Sequence, residues 1–352
     1  MIETRPTSSI QEGVLSLIGN TPMIRLVRLF EGASFQLFAK MENLNPGGSV
    51  KDRPALHLLR DALQRKLIDA DTTIIESTSG NLGIGLAQAC SYLGIKLICV
   101  VDCNVTQTNI RMLQLHGAQV DIVSEMDPEA GTLLAARIKR VDALLESTPN
   151  SIQFNQFENP LNPAAHRQTI EELMQAMDHN VDYLFLAVST CGTLRGCSEY
   201  ISEKGLKTEV IAVDAVGSVI FGTPPQPRML PGHGAGIPPP HYESGLENQH
   251  IHISDRDCVI GCRRLLARES IFAGASTGGV VYAIDSMRKA FAPGSRVAML
   301  VADRGARYLD TVYDDDWVNK HFGDISEHWA SSPSRTTLGA TSVKQEQGEY
   351  CE

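Results

Sequence analysis

The chain has 352 residues, with 31 Lys and Arg against 41 Asp and Glu, a formal net charge of −10. That balance gives no global attraction to nucleic acid or to an anionic membrane, and no run reaches the ~18 apolar residues of a membrane span. Gly 29, Pro 17 and 43% hydrophobic residues exclude collagen-like and wholly disordered chains, and the length predicts two domains or one large α/β domain.

The opening segment, MIETRPTSSIQEG, lacks the apolar core of a secretory signal, so the expected location is the cytoplasm. Short runs rich in Ile, Val and Leu then predict strands at 36–41, 72–76, 96–102, 119–124, 183–188, 209–214 and 296–302. Amphipathic stretches between them predict helices at 54–66, 82–93, 106–116, 131–145, 163–177, 193–203, 255–269 and 277–291. This alternation predicts an α/β chain of open twisted, mostly parallel sheets with helices on both faces. In such sheets ligands bind beyond the carboxyl ends of the strands. Residues 217–242, crowded with Pro and Gly, are too long for a plain connection and predict a shaped loop over a site. Residues 331–352 are polar and predict a disordered tail. The eight cysteines form no CxxC pair and read as buried reduced thiols, with no metal site expected. The basic clusters Arg137-Ile138-Lys139-Arg140 and Arg263-Arg264 fall in predicted helices and read as solvated faces.

Four turns concentrate the residues that could carry chemistry. Asn45-Pro-Gly-Gly-Ser-Val-Lys51 leads from a strand to a helix beginning near Pro54, which puts Lys51 at a helix N-terminus. The dipole there disfavours an ammonium, so the neutral amine of a Schiff-base lysine is favoured. Glu76-Ser-Thr-Ser-Gly-Asn81 also opens a helix, and its small hydroxyl residues suit a carboxylate or phosphate. Val188-Ser-Thr-Cys-Gly-Thr193 makes a second anion cradle, and Ala273-Gly-Ala-Ser276 opens another helix. None of these is a Walker sequence or a GxGxxG fingerprint.

Together with Ile18-Gly-Asn-Thr-Pro22, these motifs stand in an order that resembles the cysteine synthase family, fold type II enzymes that use pyridoxal 5′-phosphate (PLP). The resemblance spans about residues 13–317. It implies two α/β domains with PLP in the cleft between them. The larger takes 1–46 and 151–322 and binds the PLP phosphate; the smaller takes 47–150 and binds the substrate carboxylate. It also implies a homodimer. Carried over residue by residue, Lys51 is the lysine that holds PLP covalently and serves as general acid and base. Asn81 bonds the PLP 3′-oxygen, and Ser189, Thr190, Cys191, Gly192 and Thr193 cradle its phosphate. Thr78 and Ser79, with Asn81, grip the α-carboxylate of the amino-acid substrate, and Gln156 adds a further contact. Ser276 faces the pyridine nitrogen. A neutral hydroxyl there makes the ring a weaker electron sink than a carboxylate would, which suits β-replacement rather than transamination.

The chain departs from the family pattern in three places. Ser189 and Cys191 stand where the phosphate turn usually has glycine, Leu82 where the carboxylate loop has threonine, and Asp303-Arg-Gly-Ala-Arg-Tyr308 where Asp-Ser-Gly-Glu-Arg-Tyr is usual. With Val213–Gly222 and Leu230–Ala235, these look like a subgroup that joins O-phospho-L-serine to the amine of L-glutamate, releasing phosphate and supplying 2,3-diaminopropionate for siderophore biosynthesis. Glutamate brings two carboxylates, for which Arg137 and Arg304, with Arg111 behind them, are the candidate cations. An O-acetylserine or O-phosphoserine sulfhydrylase is the alternative within the family. A catalytically silent ligand-binding protein on the same fold is the alternative outside it, and the intact Lys51 and Asn81 argue against it.

Overall fold

The computed structural model describes residues 13–78 and 80–330. Ser79 and the expected tail over 331–352 lie outside the described residues. In chain order the strands are β1 (Met23–Leu26), β2 (Gln36–Lys40), β3 (Thr73–Ser77), β4 (Lys96–Asp102), β5 (Gln119–Val123), β6 (Ser151–Ile152), β7 (Tyr183–Ala187), β8 (Glu209–Ala215), β9 (Gln249–Ile253) and β10 (Arg296–Leu300). The helices are α1 (Asp52–Gln64), α2 (Asn81–Leu93), α3 (Gln107–Leu115), α4 (Leu133–Ser147), α5 (Leu161–Ala176), α6 (Gly192–Glu203), α7 (Asp255–Glu269), α8 (Ala275–Met287) and α9 (Asp315–Phe322). All seven predicted strands and all eight predicted helices form, with ends shifted by a few residues. The additional elements are β1, β6, β9 and α9.

The strands make two sheets, ordered β1-β2-β10-β7-β8-β9 and β5-β4-β3-β6. Every pairing is parallel except β1 with β2 at the edge. Both sheets are covered on two faces, which is why their strands read as continuous apolar runs rather than alternating ones. In β3, Ile74 faces the core under α1 and α2 while Ile75 faces Val141 of α4, and both are fully buried. In β7, Phe185 and its neighbours Leu184 and Leu186 divide in the same way between two cores. β6 hydrogen-bonds β3, so the four-stranded sheet runs from Thr73 to Ile152, two residues past the expected division at 150.

A buried ionic network ties the first sheet's edge to the helix after Lys51. Arg53 donates Nε and a terminal nitrogen to Glu42 at 2.7 Å each, and reaches Glu172 at 2.9 and 2.6 Å. Lys40 Nζ adds a 2.6 Å bond to Glu172. All four side chains are buried or nearly so, and paired as buried charges must be. Among the described residues the seven cysteines are free, and all but Cys103 are buried. The two basic clusters carry acidic partners: Lys139 meets Asp127 and Glu129, Arg140 meets Asp121, Arg263 meets Asp315 and Arg264 meets Asp285. No helix of the described residues is long and apolar enough to cross a membrane.

Candidate active site

The carboxyl ends of β7 and β10 and the turns that follow β2 and β3 line one cleft. Lys51, Asn81, Ser276 and the whole 189–193 turn line it. Sequence reading had placed these residues in four separate turns, and the fold brings them together.

Lys51 is the N-cap residue of α1 and contributes no capping bond through its side chain. Its amine has no hydrogen bond or ion pair among the described residues, and desolvation lowers it from 10.5 to about 8. A desolvated amine without an acid beside it loses its proton readily and is poised as a nucleophile. The next residue, Asp52, is fully buried; removal from water raises its carboxyl to about 7, against the bonds it accepts from Gly47 N and Ser49 Oγ.

The 189–193 turn runs into α6, so its backbone N–H groups and the helix dipole face the cleft. Cys191 holds φ 62°, the left-handed region that favours glycine. The cysteine standing in a glycine position of the family pattern therefore keeps the glycine backbone, at a cost of order 1–2 kcal/mol. Gly192 answers a need for space: a Cβ there would lie 2.5 Å from Asn162 Oδ1. Thr193 Oγ1 lies 3.3 Å from Nε2 of the fully buried His166, whose pKa desolvation holds well below its usual value, so the ring is neutral. Ser189 Oγ donates to Gly234 O at 3.1 Å. Gly234 N donates to Val188 O in turn, and Gly232 lines the cleft, so the Pro- and Gly-rich loop does fold over the site.

The expected carboxylate contacts are held from behind. Thr78 Oγ1 accepts from Gly83 N at 3.1 Å and so caps the first turn of α2. Gln156 is buried, and its carbonyl accepts from Asn162 Nδ2 at 2.8 Å and faces His241 Nε2 at 3.2 Å. Glu76, fully buried, accepts from Phe154 N and Asn155 N at 3.2 and 3.0 Å. Sequence reading missed Glu76, Asn162, His166 and His241 as supports of the site. Glu76 is a polar residue inside an apolar strand, Asn162 and His241 stand beside prolines, and His166 lies within a helix with no signal of its own.

The three arginines separate. Arg304 donates Nε to Asn43 O at 2.8 Å and a terminal nitrogen to Asn45 O at 3.3 Å. It clamps the turn that leads to Lys51 and does not line the cleft. Arg111 is exposed on α3. Arg137 is set back from the cleft lining, 3.4 Å from Asp102, with its buried Nε making no hydrogen bond.

The donor set fits PLP. An amine of lowered pKa suits an aldehyde, a hydroxyl-lined helix N-terminus suits a phosphate, and a neutral serine suits an unprotonated ring nitrogen.

Comparison with known proteins agrees with the geometry. A family model described as "Pyridoxal-phosphate dependent enzyme" matches residues 14–303. A curated protein of Ralstonia nicotianae named N-(2-amino-2-carboxyethyl)-L-glutamate synthase is 43% identical over 310 residues, 88% of this chain and 91% of that protein. Among solved structures, an O-acetylserine-dependent cystathionine β-synthase from Helicobacter pylori superposes with a TM-score of 0.79 at 30% identity, covering 86% of this chain and 99% of that one. An O-ureido-L-serine synthase gives 0.80 at 27% identity, covering 87% and 96%. A hydrogen sulfide-producing enzyme from Fusobacterium nucleatum gives 0.80 at 29%, covering 87% and 100%.

Proposed function

Because the chain belongs to the family of pyridoxal-phosphate-dependent enzymes, we propose that it joins O-phospho-L-serine to L-glutamate, giving N-(2-amino-2-carboxyethyl)-L-glutamate and phosphate. The observation that carries this reading is the 43% identity, sustained over 88% of the chain, to a protein named for that product. The coarser statement, a PLP-dependent β-replacement enzyme, holds whichever nucleophile is used.

Bound PLP supplies an electron sink for the charge left on the substrate α-carbon. The chain's own residues do the rest. Lys51 would hold the cofactor through Nζ and carry the substrate α-proton. The 189–193 turn would hold the cofactor phosphate and Asn81 its ring oxygen, and Ser276 would offer the ring nitrogen a group that cannot share a full negative charge. Thr78 and Gln156, with Ser79, bind the α-carboxylate of the donor. The loop carrying Gly232 and Gly234 keeps water from the reacting carbon. Arg137 would take a carboxylate of glutamate: its Nε is ion-paired with Asp102 but makes no hydrogen bond, whereas Arg304 gives its donors to backbone carbonyls. Ser189 adds a hydroxyl on the side where the amine enters. A cytoplasmic homodimer that supplies 2,3-diaminopropionate for siderophore biosynthesis completes the reading.

The test is a competition. The holoenzyme is given O-phospho-L-serine with L-glutamate and sulfide together, and the products are weighed by mass spectrometry. A glutamate–alanine adduct is the expected product. Cysteine alone would make the chain a sulfhydrylase and leave only the family-level statement standing.

A further inference from the structure

Asp303 follows β10, in the segment Asp303-Arg-Gly-Ala-Arg-Tyr308 whose departure from the family pattern the sequence shows. Its side chain is 1% exposed. A single oxygen, Oδ2, takes three donors: Asn81 Nδ2 at 3.0 Å, the Tyr308 hydroxyl at 3.0 Å and a terminal nitrogen of Arg307. Its backbone bridges Ser49, two residues before Lys51, and its carbonyl accepts from Gly274 N, two residues before Ser276. One residue of the six-stranded sheet's loop thus touches three of the four turns that bring cofactor-binding side chains to the cleft, those of Lys51, Asn81 and Ser276.

An ionised carboxylate is an acceptor only, while a carboxamide has a donor end and an acceptor end. Beside Asp303 the Asn81 amide has one stable orientation, with nitrogen toward Oδ2. We propose that Asp303 is a positioning residue: it fixes the orientation of the Asn81 amide, and so decides which N–H that residue offers to the cofactor ring. The inference rests on the reading of the cleft as a PLP site. Arg307 and Tyr308 hold the carboxylate in place for this task, since their bonds converge on the same oxygen. Gly274 leaves room for it: a Cβ at that position would lie 2.0 Å from Asp303 Oδ1.

The experiment compares the cofactor absorbance spectrum and the PLP dissociation constant of the wild-type holoenzyme with those of Asp303→Ala, Asp303→Asn, Asn81→Ala and the double variant Asn81→Ala/Asp303→Ala. Asp303→Ala is expected to shift the spectrum and weaken PLP about tenfold, the scale of one charge-assisted hydrogen bond. Asp303→Asn, which can still present an oxygen to Asn81, restores part of both. In the double variant the second change adds less than about twofold, because both removals break one interaction. Additive effects in the double variant, or an Asp303→Ala spectrum identical to the wild type, overturn the inference. A wild-type protein that binds no PLP overturns the underlying reading of the site instead. Thermal unfolding of each variant distinguishes lost folding from lost positioning.

Discussion

The Glu76→Gln substitution tests how the site is held from behind. Glu76 is fully buried at the end of β3, and desolvation raises its carboxyl from 4.5 to about 7. The bonds it accepts from Phe154 N and Asn155 N oppose that rise without cancelling it. A raised carboxyl pKa means that the folded protein holds the proton more tightly than the unfolded chain does. The resulting stabilisation is complete below about pH 4.5 and is lost as pH climbs through about 7. The span between those values corresponds to about 3 kcal/mol of penalty on the charged form. Glutamine has the same shape, keeps an oxygen for the two N–H groups and has no proton to lose. Burying its extra N–H bonds lowers stability by a constant amount at every pH. The slope is therefore the signature: relative to wild type, the variant should gain about 3 kcal/mol between about pH 5 and about pH 9. Asp52, raised to about 7 by the same burial, titrates in both proteins and drops out of the difference. Urea unfolding at several pH values, with m-values compared, reads the difference directly. Parallel stability curves for the two proteins would refute the argument, because Glu76 would then ionise as an ordinary surface carboxylate does.

Lys51 should show its lowered pKa in the pH profile of covalent PLP capture by the apoprotein. The amine reacts only when neutral, so the rate rises about tenfold per pH unit below about 8 and levels off above it. A stopped-flow rate that stays flat from about pH 6 to about pH 9 would contradict this. Gly192→Ala drives a Cβ to 2.5 Å from Asn162 Oδ1, so Asn162 must move off Gln156. Calorimetry should show a loss of about 1–3 kcal/mol, and steady-state kinetics a raised KM for the proposed donor, O-phospho-L-serine; an unchanged KM would separate Asn162 from substrate binding. Arg304→Ala removes the clamp on Asn43 and Asn45 and should speed amide exchange across residues 43–49. Protection equal to wild type there would show that the turn is held by its own backbone. On the proposed reaction, Arg137→Ala should raise KM for glutamate while leaving that for O-phosphoserine in place, and equal rises for both would rule out the proposed role of Arg137 in binding the acceptor.

What the sequence made legible follows the same physics that built the site. Doubly covered strands such as β4 and β7 announce themselves because both faces must be apolar, and the strand–turn–helix order then puts Lys51, Asn81 and the 189–193 turn at carboxyl ends. β9 escaped because it is an edge strand, Gln249–Ile253, in which histidines alternate with isoleucines and only Ile253 is buried. β1 is likewise an edge strand, and β6 is two residues long, too short to carry a period. The turns were legible as motifs, but motifs show only what faces the ligand. Arg304 illustrates the gap: a cation near the site reads as a carboxylate partner, whereas its donors go to two backbone carbonyls that no pattern in the sequence marks. Asp303 illustrates it from the other side. Asn81 and Asp303 are 222 positions apart, and only the folding of one sheet's loop against the other's helix makes them neighbours. A residue that binds a ligand needs a particular chemistry and is visible for it. A residue that positions another needs only the right oxygen at 3.0 Å, and many sequences could place one there. The supports of this site therefore had to be found in the fold, and perturbing them is the more searching test of how the cleft works.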